Sequence, residues 1–279
     1  MRALLVSAAA LLFCGCFSAS GRRAVHYAGY RMLDKAPAQD CWKEAAYRAC
    51  VYRSRAGRTD DGTLVWFFHY AEGDEGSFAR IGLAHAFFAE LARLDRPAPR
   101  VVSVSFGSHW LLSGETGKRQ VVLTDDFAGL VLAQVEARVG VPRRRLAWGM
   151  SMGGWNAAEL SLRKPELFSR VALSCPALYE ADPFLAAAAA PRAEDGRNLW
   201  RHRFNGPAQW DADDPVSLAR TAPARAAYLL QPNAADEFGF QGGAKALAAA
   251  LGARASLAMA PDGHCLVNAA QAADFLSTQ

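Results

Sequence analysis

Arg145-Leu146-Ala147-Trp148-Gly149-Met150-Ser151-Met152-Gly153-Gly154 is the stretch on which the reading of this chain turns. Its first five residues read as a short buried strand, and residues 154–163 read as a helix. Between them lies Gly149-Met150-Ser151-Met152-Gly153, a match to G-x-S-x-G. A chain of this composition and length would hold such a match by chance about one time in ten, so the context carries the weight. A sharp strand-to-helix turn lifts a serine hydroxyl clear of the sheet. Side chains at the flanking positions would then strike neighbouring elements, and glycine removes that collision. Ser151 is therefore a candidate nucleophile.

A serine hydroxyl attacks poorly at neutral pH without a base in hydrogen-bond reach and a carboxylate to orient that base. The six histidines are His26, His69, His85, His109, His202 and His264. Only His264 follows the last expected strand, residues 255–260, in the loop Pro261-Asp262-Gly263-His264. A loop there can carry an imidazole over the nucleophile. His85 falls on a helical pattern, and His202 lies in a less periodic region. For the acid, Asp236 follows the strand expected at 227–231 and precedes His264, with Glu237 as its rival. Asp211, Asp213 and Asp214 precede that strand and fit less well. The tetrahedral oxyanion needs N–H donors. One is expected from Met152, the residue after the serine, and a second from Tyr70 or Ala71, after the strand at 64–68. His69 is expected to shape that loop rather than react.

Working outward, the pattern alternates between apolar strands and amphipathic helices. Leu64–Phe68 and Val101–Phe106 read as buried strands. Ile81, Ala84, Phe88 and Leu91 recur at helical spacing, with Pro97 and Pro99 ending that helix. Thr124 is placed to cap a helix whose apolar face is Phe127, Val131, Val135 and Val139, closed by Gly140 and Pro142. Strands at 171–174, 227–231 and 255–260 and helices at 242–251 and 268–276 complete the series. Residues 24–56 read as early strands. Residues 178–222, with Trp200 and Trp210, read as a cap-like insertion. Strands alternating with helices of this length imply an α/β fold with a mostly parallel sheet covered on both faces.

The chain has 279 residues, of which 52% are hydrophobic, enough for one large domain over residues 24–279. Its formal charge of +4 is mild. The longest basic run is Arg143-Arg144-Arg145, read as a solvated turn, and no nucleic-acid module is recognisable. Arg2 and the apolar residues 3–13 read as an export signal over residues 1–20. Gly15-Cys16 at its end resembles a bacterial lipoprotein cleavage box, which would lipidate Cys16 and place the protein in the periplasm or cell envelope on a lipid anchor. Export would put Cys41, Cys50, Cys175 and Cys265 in an oxidising compartment. Three pairings are open, as are free thiols. Cys41–Cys50 closes the shortest loop, and Cys175 with Cys265 would lie near the proposed site. No Cys/His pair has zinc-like spacing, so no metal is expected.

In combination, Gly149–Gly154, Pro165-Glu166-Leu167-Phe168, Ser174-Cys175-Pro176-Ala177, Ala234-Ala235-Asp236-Glu237 and Gly263-His264 resemble the putative esterase family over roughly residues 60–279. Esterase D-like S-formylglutathione hydrolases, enterochelin esterases and mycolyltransferases belong to it. The resemblance implies an α/β-hydrolase fold, a small-molecule ester or thioester substrate, no cofactor, and triad roles for Ser151, Asp236 and His264. One departure stands out: His69-Tyr70 occupies the place where many relatives carry His-Gly. An acyltransferase, a peptidase on the same triad, and a membrane-tethered binding lipoprotein without catalysis are the competing functions.

Overall fold

The computed structural model describes residues 37–107, 109–114, 121–180, 182–185, 201–221, 224–260 and 263–278. The expected signal segment, Cys16, His26, Trp200 and part of the expected cap lie outside the described residues. The apolar runs become the inner strands of an eight-stranded sheet. Its strands are β1 (Ala38–Lys43), β2 (Arg48–Arg53), β3 (Thr59–Phe68), β4 (Ala98–Ser105), β7 (Arg144–Met150), β8 (Arg170–Ser174), β9 (Ala227–Gln231) and β10 (Ala255–Leu257). Two further strands, β5 (Trp110–Leu112) and β6 (Val121–Leu123), form a separate parallel pair that the sequence pattern did not reveal. The large sheet runs β1-β2-β4-β3-β7-β8-β9-β10. β1 and β2 join antiparallel, and every pair from β4 to β10 is parallel.

Alternation along β3 shows why both faces are covered. Leu64, Trp66 and Phe68 enter the core on one face, while Val65 and Phe67 enter the core on the other. On the second face, α1 (Ser77–Arg80) leads into α2 (Leu83–Arg93), which packs against the final helix α9 (Ala269–Ser277). Over the first face lie α3 (Thr124–Asp126), a π-helical stretch Phe127–Val131, α4 (Leu132–Val139) and α5 (Met152–Arg163). α6 (Pro207–Asp213), α7 (Pro215–Thr221) and α8 (Phe240–Leu251) complete that layer. The inner strands are near-continuous apolar runs because a parallel sheet offers neither face to water.

Several local readings change. Thr124 is not a cap: Leu123 holds the N-cap position, and the Thr124 hydroxyl donates to Glu159 instead. Tertiary demand from a buried carboxylate outweighs the local preference. Pro99 does not end a helix but lies in β4 opposite Asp60. It is tolerated because β2 pairs with β4 only from Val101 onward, so no partner on that side needs its missing N–H. β7 opens one residue before the expected Arg145, so Arg144 belongs to the strand rather than to a turn, and Arg145 pairs with Glu136 at 2.5 Å. The last parallel strand ends at Leu257, with an isolated bridge joining Ala260 to Asn233. The described part of residues 178–222 packs into the body of the fold. Trp210 lies 5.2 Å from Trp155 and from Phe204, all three buried, and α7 packs on α5 and α8.

Candidate active site

Ser151 stands between β7 and α5 with φ 53° and ψ −114°, a conformation that a side-chain-bearing residue rarely adopts. The motif glycines make the turn possible. A Cβ at Gly149 would overlap the backbone of Gly153, and one at Gly153 would overlap the Phe68 and His69 carbonyls at the end of β3. The Ser151 N–H donates to the Ser174 carbonyl at 3.1 Å, and its own carbonyl accepts from Gly154, Trp155 and Ala177. Backbone strain at this position, on the order of 1–3 kcal/mol, is thus held by bonds to the first turn of α5 and to the stretch 174–177.

His264 reaches this turn from the far end of the sheet. Its Nε2 lies 2.9 Å from Ser151 Oγ, and its Nδ1 lies 2.7 Å from Asp236 Oδ2. A carboxylate only accepts, so the Nδ1 position carries the proton and Nε2 presents a lone pair to the serine O–H. The Asp236 side chain is 1% exposed and that of His264 9%, so little water competes for this bond. Asp236 Oδ1 accepts the Phe238 N–H at 2.9 Å, fixing the carboxylate's orientation. Phe238 and Phe240 stack at 5.4 Å and both set an edge or face against the imidazole.

The rival acid is also engaged, at a different atom. Glu237 Oε2 accepts the backbone N–H of His264 at 2.9 Å. Adjacency to Asp236 was visible in the sequence, but an anchoring role on the histidine's backbone was not. Of the alternative aspartates, Asp211 is exposed and the other two are used elsewhere. Asp213 pairs with Arg163 at 2.5 Å, and Asp214 caps α7 through the Ser217 N–H and hydroxyl. Burial pushes the Asp214 carboxyl up to about 6.

The loop after β3 lies beside the N-terminus of α5, because Gly153 packs directly on Phe68 and His69. His69 Nδ1 lies 2.7 Å from the Tyr70 carbonyl, which also accepts the Gly73 N–H at 3.0 Å. That carbonyl cannot donate, so His69 carries its proton on Nδ1, and burial holds its pKa below the usual histidine value. His69 therefore shapes the loop, as its position after β3 suggested. Beneath the site, Trp148 Nε1 donates to Ser174 Oγ, which donates to Gln231 Oε1, a buried polar chain across β7, β8 and β9. His202 is exposed and His85 sits on α2, as their patterns suggested.

The cysteines pair as Cys41–Cys50 and Cys175–Cys265. Cys175, His264 and Cys265 are the one group among the described residues whose atoms are spaced like metal ligands, and both sulfurs are spent in the disulfide.

A family model described as "Putative esterase" matches residues 113–253, just over half of the chain. The chain belongs to that family. It is an esterase with an α/β-hydrolase fold. The matched span holds Ser151 and Asp236 and stops short of His264, so it is narrower than the resemblance over residues 60–279. No curated protein matches the chain in sequence. Solved structures share the fold across most of its length. An S-formylglutathione hydrolase from Agrobacterium tumefaciens is similar at 15% identity and TM-score 0.59, covering 87% of this chain and 92% of its own. A ferulic acid esterase is similar at 13% identity and TM-score 0.60, covering 85% and 94%. A fluorophosphonate-binding serine hydrolase of Staphylococcus aureus is similar at 11% identity and TM-score 0.62, covering 88% and 99%.

Proposed function

We propose that this esterase cleaves small carboxylic esters or thioesters through an acyl-enzyme on Ser151, with His264 as the base and Asp236 as its orienting acid. The observation that carries the reading is the unbroken chain from Ser151 Oγ to His264 Nε2 at 2.9 Å and from His264 Nδ1 to Asp236 at 2.7 Å. His264 accepts the serine proton as Oγ attacks the ester carbonyl, and Asp236 stabilises the imidazolium that forms. The imidazolium then protonates the leaving alcohol or thiol. Water, activated by the same imidazole, releases the acid and restores Ser151.

The oxyanion would be met by the Met152 N–H at the first turn of α5, where the helix dipole also favours negative charge. The second donor is the N–H of Tyr70 or Ala71. The Ala71 N–H has a fixed direction, because the carbonyl of the same peptide is held by His69 and Gly73. No cofactor has a part in these steps.

Ser151→Ala tests the proposal. In a folded variant, turnover of an activated short-chain ester should fall by roughly four to six decades, and labelling by a fluorophosphonate should vanish. Activity within tenfold of wild type would overturn it, and a wild type that neither hydrolyses nor labels would make the protein a binder.

We further propose that the protein is exported, a reading supported by two disulfides, which persist in oxidising compartments. If Cys16 is lipidated, radiolabelled fatty acid should enter the wild type and not Cys16→Ser; equal labelling of both, or of neither, removes the lipid anchor.

A further inference from the structure

His264 lies in a loop with little regular structure of its own. β10 ends at Leu257 and α9 begins at Ala269. Apart from the His264–Ser151 contact itself, the hydrogen bonds that hold the described part of this loop run to β9, to the segment after it, to the first turn of α9, or within the loop. His264 N–H donates to Glu237 at 2.9 Å, Asn233 Nδ2 donates to the Leu266 carbonyl at 3.0 Å, and Leu266 N–H donates to the Gly263 carbonyl at 3.4 Å. These bonds fix His264 against Asp236. The connection to Ser151, in the turn between β7 and α5, is a second one, for which these bonds offer only the longer route from Asn268 through Gln231 to Ser174.

The Cys175–Cys265 disulfide makes that second connection. Cys265 directly follows His264. Cys175 directly follows β8, in a stretch stitched to the serine turn. The Ser151 N–H donates to Ser174, and the Ala177 N–H donates to the Ser151 carbonyl at 3.0 Å. Pro176 lies so close that a Cβ on Gly154 would come within 2.8 Å of it. Cys175 itself takes φ 43°, and its N–H donates to Gln231 on β9 at 2.9 Å. The two half-cystine Cα atoms are 5.2 Å apart, and both sulfurs lie within 4.8 Å of a ring nitrogen of His264. Both cysteines are buried, so the link is packed into the wall behind the imidazole.

We propose that the Cys175–Cys265 disulfide is a positioning element that sets the distance between His264 and the Ser151 hydroxyl. It rests on the reading of Ser151 and His264 as nucleophile and base. The disulfide touches no reacting atom. It joins the residue after His264 to the residue after Ser174, whose carbonyl accepts the Ser151 N–H. Freed of it, the imidazole stays beside Asp236 through Glu237 and the segment after β9, but its orientation, and with it both the distance to Oγ and the geometry of the Nδ1–H bond, becomes a distribution. Misplacement of a reacting group by about 1 Å can cost on the order of 100-fold in rate.

The test compares Cys175→Ala/Cys265→Ala with Cys41→Ala/Cys50→Ala, assayed well below their melting temperatures. The first pair should lose 10- to 100-fold in kcat with KM within twofold, and its fluorophosphonate labelling should slow by the same factor. The second pair should keep both parameters. If the first variant folds poorly, Cys175→Val/Cys265→Ala refills the space and takes its place. A kcat within twofold of wild type in either folded variant overturns the proposal. So does a matching loss in the Cys41/Cys50 pair, which would make the effect one of general stability. A readout independent of turnover separates this idea from the proposed chemistry. The downfield imidazole N–H proton resonance, assigned by its loss in His264→Ala, should broaden in the Cys175/Cys265 variant. If that signal responds while Ser151→Ala leaves hydrolysis intact, the positioning stands and the catalytic reading falls. If Ser151→Ala is inactive and the signal and kcat are unmoved, the reverse holds.

Discussion

At the scale of single residues, the division of labour between Asp236 and Glu237 follows from which atoms of His264 they meet. Asp236 accepts from the ring at Nδ1, so it feels every change in the charge of the imidazole. Glu237 accepts from the backbone N–H, which does not change charge during turnover. Asp236→Asn should therefore lower kcat by about 10³–10⁴ with little change in KM, because an amide can donate to Nδ1 and select the wrong tautomer. Glu237→Gln keeps an oxygen acceptor for the backbone N–H and should cost less than tenfold. Kinetics on both variants, with circular dichroism and thermal melts, decide the point; a crippled Glu237→Gln beside a mild Asp236→Asn would reverse the assignment. The triad candidates were legible because chain order and loop position after a strand restrict the choice to few residues. Glu237's anchoring role was not legible, since a side chain bonding to a backbone N–H 27 residues away leaves no spacing pattern. Nor could sequence choose between the N–H groups of Tyr70 and Ala71, because donor direction depends on how His69 and Gly73 hold one carbonyl.

At the scale of elements, α5 is the strut of the site, and its far end rests on a buried charge cluster. Fully buried Glu159 accepts from Arg163 at 2.6 Å and from Thr124 at 2.9 Å. Arg163 also meets Asp213 at 2.5 Å, whose other contact is the Ser113 N–H at 3.0 Å. Desolvation raises the Glu159 carboxyl from an ordinary 4.5 to about 8, even against the pull of Arg163. The folded state then holds a proton that the unfolded chain releases, so this group's contribution is fully present below about 4.5 and is lost as pH rises through about 8. Glu159→Gln removes the titration while keeping an acceptor. The Tm of the wild type relative to this variant should therefore fall steadily from pH 5 to about 8. A difference that stays flat, or climbs, would mean that Arg163 keeps Glu159 ionised throughout. β7 and β9 were legible almost to the residue, and β3 only in its apolar half, Leu64–Phe68, since its polar start at Thr59 carries no such signal. The π-helical stretch Phe127–Val131, the β5–β6 pair and the displaced cap at Thr124 were not. The last two answer tertiary partners: Asn156 on α5 bonds the backbone of Leu111 and His109, and Glu159 claims the Thr124 hydroxyl.

At the scale of the whole molecule, the two disulfides do different work because they close loops of different size. Cys41–Cys50 joins the neighbouring strands β1 and β2 across a separation of 9 residues. Cys175–Cys265 spans 90 residues and encloses α6, α7, α8, β9 and β10. In the chain-entropy account, a cross-link stabilises by restricting the unfolded chain, and the effect grows with the logarithm of the loop. For these separations that is roughly 2.5–3 kcal/mol for the first link and roughly 4.5 kcal/mol for the second. Each kcal/mol corresponds to about 2–4 °C in Tm for a domain of this size. Cys41→Ala/Cys50→Ala should therefore lower Tm by about 5–10 °C, and Cys175→Ala/Cys265→Ala by about 10–15 °C. The second pair also removes two buried half-cystines against one in the first, where Cys41 is exposed, so lost burial adds to the same ordering. Equilibrium denaturation gives the same comparison without heating, provided each transition is two-state. If removing the short link proves the costlier change, the β1–β2 edge is the weak point at which unfolding begins, and loop entropy does not govern the stability of this fold.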